Sequence, residues 1–491
     1  MTPAVRVLAL WLTPALWLEM PALILDGGPD GLWIGLALFL APLVALGVPA
    51  PAEPERAESE ASFSVMALFL VVGVLLWANL VLAGDVAAWL GAARWQGVAV
   101  TAAGAWLLTA WRGAWRVVPA LLLAALLAVC VPLAELARGA GAGPLGAWER
   151  MATRATFRFP AASAWVTSGR GLDLARGQRP LVFDEEHHVT APAGGALRTR
   201  YLDAGRVTEM EWTLSPGQSA ALRPGDEIER PARLLLRFEA GKRVPGAPAS
   251  GVAWAAGSAR DWWGRAGLVA TLLLGGAVLL GRGAATPISR RGALLLGGAL
   301  VAVFFWAQGW AIYAALAAPD LFLGGVTAER LTDLRALAHG VEPWGRAFEA
   351  LLPAAGLASF LASSVMLRER LGAMDRGGGG EIGHDLGLWA AVLGVAGLAG
   401  LLPVDPWWLV LLALGIATAA LGPATLLRIE DSRAVTAAGL VGLAVFAALA
   451  IAAEVRGTPP GPVGAALAYP ALAAWPAGAG VLWLVRRAAR R

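Results

Sequence analysis

Charge is scarce in this chain. Asp, Glu, Lys and Arg make up 15% of its 491 residues, where soluble domains carry about 25%. With 58% hydrophobic residues and a mean hydropathy of +0.63, the composition is that of an integral membrane protein. Cysteine is nearly absent. Cys130 is the single one and lies in an apolar run, which excludes an intrachain disulfide, a four-cysteine zinc site and an iron–sulfur cluster. The four histidines all fall outside the candidate spans, removing the usual axial ligands of haem and arguing against an oxidase or b-type cytochrome. No cofactor and no metal are expected. Lysine occurs once, at Lys242, so arginines carry the net charge of +4. Placed at helix ends, they imply no nucleic-acid partner. The 61 glycines and the many alanines read as the codon bias of a GC-rich bacterium.

What is present in quantity is apolar sequence. A run of about 20 residues crosses the hydrocarbon core, and twelve candidates occur at roughly 4–25, 31–49, 62–84, 96–112, 116–137, 265–281, 292–315, 348–367, 386–402, 406–427, 434–453 and 462–485. The first is long for a signal peptide, lacks a small-residue cleavage site and is followed directly by a second span, so it is expected to be retained. Cytoplasmic loops keep the excess of Lys and Arg. Arg112 and Arg116, Arg282, Arg290 and Arg291, Arg368, Arg370 and Arg376, Arg428 and Arg433, and the tail "RRAARR" then lie inside. The loop "APAEPERAESEAS", with four Glu against Arg56, disagrees. The expectation is a polytopic helical protein of the bacterial inner (cytoplasmic) membrane, with twelve spans, both termini cytoplasmic and membrane lipids as its surroundings.

Residues 138–263 have a different texture. "TFRFP", "AWVTS", "LRTRYLD", "VTEMEWTLS" and "ARLLLRFEA" mix apolar and polar residues between turns such as "SPGQ" and "RPGDE", the pattern of antiparallel strands. An all-β sandwich or barrel is expected there, periplasmic and inserted between spans five and six, with membrane domains at 1–137 and 264–491 on either side. "DWW", Asp261 to Trp263, reads as an aromatic anchor at the interface. In a later outer loop Leu331, Leu334 and Leu337 repeat at helical spacing, predicting an interfacial helix over about 326–340.

Within the β stretch, "DEEHH" sets Asp184, Glu185 and Glu186 before His187 and His188. Neighbouring side chains on a strand point to opposite faces, so the two histidines cannot share a metal. Glu185 with His187 makes a two-ligand half-site that Glu209 and Glu211 would have to complete. Against that stands a solvated strand edge whose charge deters pairing with another chain. A surface for a protein partner or a substrate is the better functional expectation for these five residues. In the spans, Glu19 precedes Pro21 and Glu135 follows Pro132. They read either as carboxylates reaching interfacial water or, with Arg330 and Arg335, as an outer vestibule.

Three resemblances bear on these residues. "GQSAALRPGDEI", Gly217 to Ile228, resembles the turn–strand–turn before a ligand-bearing strand of cupin-like barrels. It covers about a dozen residues and lacks the histidine that follows in that family, so the resemblance implies a metal-free barrel. "LGAMDRGGGG", with Gly372, Asp375 and Arg376, resembles the Gly-rich loop of major-facilitator transporters, one residue short. The loop after the second span has no such motif. Asp26 and Asp30, or Arg330, Arg335 and Arg346, stand in outer loops where polytopic glycosyltransferases and polysaccharide ligases keep acidic or basic residues, although "DGGPDG" is short for that comparison.

Three functions follow as expectations. The first is transport or translocation of an amphipathic or lipid-linked envelope substrate, from the apolar bundle and its few buried charges. The second is a non-catalytic scaffold or assembly subunit that meets protein partners through the β domain. The third is a membrane glycosyl- or lipid-transferase. No cluster identifies a reaction, so the reading leans away from an enzyme.

Overall fold

The computed structural model describes Met20, Ile24, Pro319, Phe322, Val404 and residues 31–46, 57–89, 92–111, 114–125, 144–159, 163–166, 181–203, 206–229, 235–256, 262–283, 290–317, 356–358, 360–365, 382–402, 406–427, 432–457 and 461–489. It is mostly helical. We number the helices α1 (Gly31–Ala45), α2 (Ala57–Trp89), α3 (Arg94–Ala110), α4 (Pro144–Ala152), α5 (Gly251–Ala255), α6 (Trp262–Gly283) and α7 (Arg290–Ala317). Then come α8 (356–365) and α9 (Ile382–Gly400). Next are α10 (Pro406–Leu426), α11 (Ser432–Arg456), α12 (Pro462–Ala468) and α13 (Ala471–Ala489).

The expectation of twelve spans is corrected. Among the described residues four helical segments are long and apolar enough to cross a membrane: Met66–Ala87, Trp262–Leu280, Pro406–Leu426 and Arg433–Ala453. A fifth would be the pair α12 and α13, bent by 87°. The physical reason is that an apolar run is not yet a helix of the same length. α1 has 15 residues, about 22 Å of rise, and α3 has 17, about 25 Å, against a hydrocarbon core of about 30 Å. The run 462–485 is interrupted at Pro470, which has no N–H to continue the helix and lies between α12 and α13. Most of the runs 4–25 and 116–137, and half of 348–367, lie outside the described residues.

Glycines set the closest helix contacts. Within α10, Ala417–Leu421 forms a π turn just before Pro423, whose ring nitrogen cannot donate to the preceding turn. The Thr418 hydroxyl donates to Leu414 O at 2.8 Å. α11 meets this turn so closely that a Cβ on Gly442 would overlap the Ala419 carbonyl, and α6 likewise brings Gly275 against Leu414 O. Small residues let helix backbones approach where lipid supplies no hydrophobic drive.

The β region consists of two four-stranded antiparallel sheets, in the orders β1-β8-β3-β6 and β2-β7-β4-β5. The strands are β1 (Ser163–Val166), β2 (Leu181–Val182), β3 (His187–Ala191), β4 (Gly195–Asp203), β5 (Arg206–Leu214), β6 (Gln218–Leu222), β7 (Glu227–Glu229) and β8 (Leu235–Phe238). Val189, Leu222, Leu236 and Phe238 from one sheet and Leu197 and Ile228 from the other belong to one buried core. Gly225, at φ 91°, turns the chain from β6 into β7 in "RPGDE", a conformation that favours glycine. The region is not purely β, since α4 and α5 lie within 138–263 and pack through Trp148 and Trp254, ring centroids 5.0 Å apart. It is anchored on α7. Arg154 donates to Ala315 O and Leu316 O at 3.3 and 3.1 Å, a cation on the last carbonyls of a helix. Phe157 meets Phe322 edge-on at 4.9 Å.

Candidate functional site

The carboxylate–histidine cluster takes its geometry from the start of β3. Burial alternates along the strand, so His187 is turned inward at 1% exposure. His188 is half exposed, 3.7 Å from Glu239. His187 lies between the rings of Phe183 and Phe238, at centroid distances of 5.1 and 6.3 Å. Its Nδ1 is buried and has no hydrogen-bond partner among the described residues. Burial pushes the imidazole pKa down; Glu185, Glu239 and Asp184 oppose this, and Lys242 adds to it.

Asp184 and Glu185 through their carboxylates, and Glu186 through its backbone oxygen, are tied to a neighbouring segment of the same region. The Arg243 guanidinium lies 2.5 Å from Asp184, and the Arg243 backbone N–H donates to Glu185, which also has Arg158 at 3.7 Å. Lys242 Nζ donates to the backbone oxygen of Glu186 at 2.8 Å. Residues 157–159 complete the clasp, with Phe159 N–H donating to Lys242 O and Val244 N–H to Phe157 O, both at 2.9 Å. Glu209 and Glu211 are engaged across β4 and β5 by Arg200 at 2.8 Å and Arg198 at 3.6 Å. Among the described residues no group of three His, Cys, Asp or Glu could hold a metal ion. The chemistry of "DEEHH" is that of an ion-paired staple closing the rim of the β region.

Glu19, Glu135, Arg330 and Arg335 lie outside the described residues, as do Asp26, Asp30, Arg346, the segment 326–340 and the loop "LGAMDRGGGG".

Two features of the helices were missed by sequence reasoning. The first is an ion pair between Asp85 and Arg94, with side-chain exposures of 0% and 23%. The run read as a span ended at residue 84, but nothing in "GDVAAW" breaks a helix and α2 continues to Trp89, carrying Asp85 into the interior. The available signal was the spacing: an acid and a base on either side of a short helix–helix turn satisfy each other when the hairpin closes.

The second feature is concave surface on both sides of α3. α3 and α9 run antiparallel, and Trp389 Nε1 donates to Thr109 Oγ1 at 2.9 Å at one end of their contact. Beyond this bond they part into an apolar lateral cleft of about 580 Å³, lined by Trp95, Val98, Trp106, Leu393, Gly397 and Leu401 among others. On its other side α3 borders a cavity of about 270 Å³ shared with α2 and α8. Both are invisible to hydropathy, because alanine and glycine count as apolar whether they fill a contact or leave one open.

No protein-family model matches the chain, and no curated protein resembles it significantly.

Proposed function

We propose that the protein transports or translocates an amphipathic or lipid-linked envelope substrate in the inner membrane of a bacterium, admitting its apolar chain sideways at α3 and α9. The observation that carries this reading is the lateral cleft. It is lined almost wholly by apolar and small side chains, as sites for hydrocarbon are. Trp95 and Trp106 are 60% and 37% exposed on its lining, amphipathic rings suited to the depth of lipid headgroups. The β region, fixed through Arg154 and Phe157 to the end of α7, stands outside the membrane in this reading and both termini stand inside.

The test uses the full-length protein in liposomes with a phospholipid carrying a diazirine near the end of one acyl chain. Labelling is expected on Trp95–Trp106 and Ala390–Leu401, together with movement of a headgroup-labelled lipid between leaflets. A Cβ on Gly394 would meet nothing within 4 Å although the residue lines the cleft, so Gly394→Trp is expected to fill it and lower both signals several-fold without unfolding. Absence of both signals from the wild-type protein would refute the proposal.

A further inference from the structure

The cavity on the other side of α3 contains an unusual hydroxyl. Thr101 lines it at 8% exposure. Three other threonines in the helices return their hydroxyls to the carbonyl four residues earlier: Thr109 to Ala105 O at 2.6 Å, Thr271 to Gly267 O at 2.9 Å and Thr418 to Leu414 O at 2.8 Å. No such bond holds Thr101, whose side chain lines the cavity and whose hydroxyl is not sealed from solvent. A hydroxyl that the helix does not engage and that opens onto an apolar cavity is available to a ligand atom or a water. Asn79, 1% exposed, lines the same cavity with its Nδ2 already donated to Leu75 O at 2.8 Å.

Among the described residues no charged side chain lines this space. Asp85 and Arg94, nearby in the same hairpin, are paired with each other. An ionised ligand group would find no counter-charge there, whereas a neutral group needs only a hydrogen bond. The walls around Thr101 are apolar, including Leu82, Val86 and Phe360. At about 270 Å³ the cavity falls just below the size of sites that enclose a whole drug-sized molecule. It suits a head group and the first carbons of a chain.

We propose that this cavity binds the neutral hydroxyl or carbonyl head of a lipid-like molecule, with the Thr101 hydroxyl as its hydrogen-bond partner. The site is separate from the α3–α9 cleft and does not depend on translocation, so either proposal stands if the other fails.

The probe is a diazirine-bearing long-chain primary alcohol, applied to the full-length protein in detergent and compared with a fatty acid of the same length held ionised at alkaline pH. Saturable labelling by the alcohol is expected on Ala83, Gly97, Val100 and Thr101, with the fatty acid at least about tenfold weaker. Thr101→Val keeps the shape and removes the hydroxyl; labelling should fall about 3- to 10-fold, the range of one hydrogen bond, and return with Thr101→Ser. Val100, 68% exposed and on the cavity lining, gives a second variant, because Val100→Trp adds bulk from the open side and should also reduce labelling. The proposal is overturned by equal labelling with alcohol and fatty acid. It is equally overturned by labelling that both variants leave unchanged, or that maps only to Ala99, Ala102, Ala103 and α9.

Discussion

Acidification should loosen the β region through His187, and His187→Phe should remove that sensitivity. The imidazole is 1% exposed between Phe183 and Phe238 with Nδ1 unpartnered. Its pKa is lowered in the fold, chiefly by burial, with Glu185, Glu239 and Asp184 opposing and Lys242 adding to the shift. The ordinary value, about 6.5, holds in the unfolded chain. Above it His187 is neutral in both states and contributes no pH dependence. As pH falls below it the unfolded chain takes up a proton that the folded state refuses, so stability declines until the lowered folded value is reached and the loss is complete. One proton sets the steepest slope at about 1.4 kcal/mol per pH unit. Phenylalanine extends an existing aromatic cluster and removes the orphaned nitrogen, so the variant should lie within about 1.5 kcal/mol of wild type at pH 7.5. The assay is amide exchange of the full-length protein between pH 7.5 and 5.5, expressed as protection factors for His187–Ala191 and Leu235–Phe238. Protection that falls equally in wild type and His187→Phe would refute the argument.

Three further predictions concern the ion pairs and close packing of the fold. Asp85→Ala removes a fully buried carboxylate from the Arg94 guanidinium and should cost about 3 kcal/mol; the double variant with Arg94→Ala should cost less than the sum of the single changes, measured by thermal unfolding in detergent. Gly442→Leu forces side-chain atoms onto the Ala419 carbonyl of the π turn and should lower the melting temperature by several degrees, whereas Gly480→Ala, where a Cβ meets nothing within 4 Å, should leave it unchanged. Arg243→Ala removes the guanidinium from Asp184 and from Ala247 O. The Arg243 side chain is 20% exposed and that of Asp184 50%, so about 1 kcal/mol is expected, seen as faster exchange at 183–187 with the helices unaffected.

The alternation that separated His187 from His188 was legible in the sequence, because a strand's period is a local property. The turns "SPGQ" and "RPGDE" were legible for the same reason, and glycines at positive φ occupy both. The partners of Asp184 and Glu185 were not. Arg158 and Arg243 are distant along the chain, and only the pairing of 157–159 with 241–244 brings them to the cluster. The span count failed where hydropathy was asked for length. "GLWIGLALFLAPLVA" is apolar throughout but forms a helix of 15 residues, and the last run contains Pro470. Asp85 falls just past the apolar run 62–84, because charge marks the end of a span in hydropathy. Its neutralising partner comes from the next helix, outside the window in which the end was judged.

The contrast between α10 and α3 gives these observations a mechanical sense. α10 is gripped on two sides, by Gly442 of α11 and Gly275 of α6, each with its backbone against a carbonyl of α10. Such contacts cannot widen a little; they hold or they break, because interiors this dense are not continuously deformable. α3 has one such contact, Gly97 against the Ala83 carbonyl of α2, and is open on two other flanks. Its ends are fixed by Asp85–Arg94 at the first turn and by Thr109–Trp389 at the last. Between them the helix has a cleft on one side and a cavity on the other. A helix pinned at its ends and packed against α2, with open space on its other flanks, keeps its place whether those spaces are filled or empty. Ligand entry beside α3 therefore requires neither the π turn nor the β region to move, and the lipid-handling proposal places its substrate at the part of the bundle where filling space costs the least rearrangement.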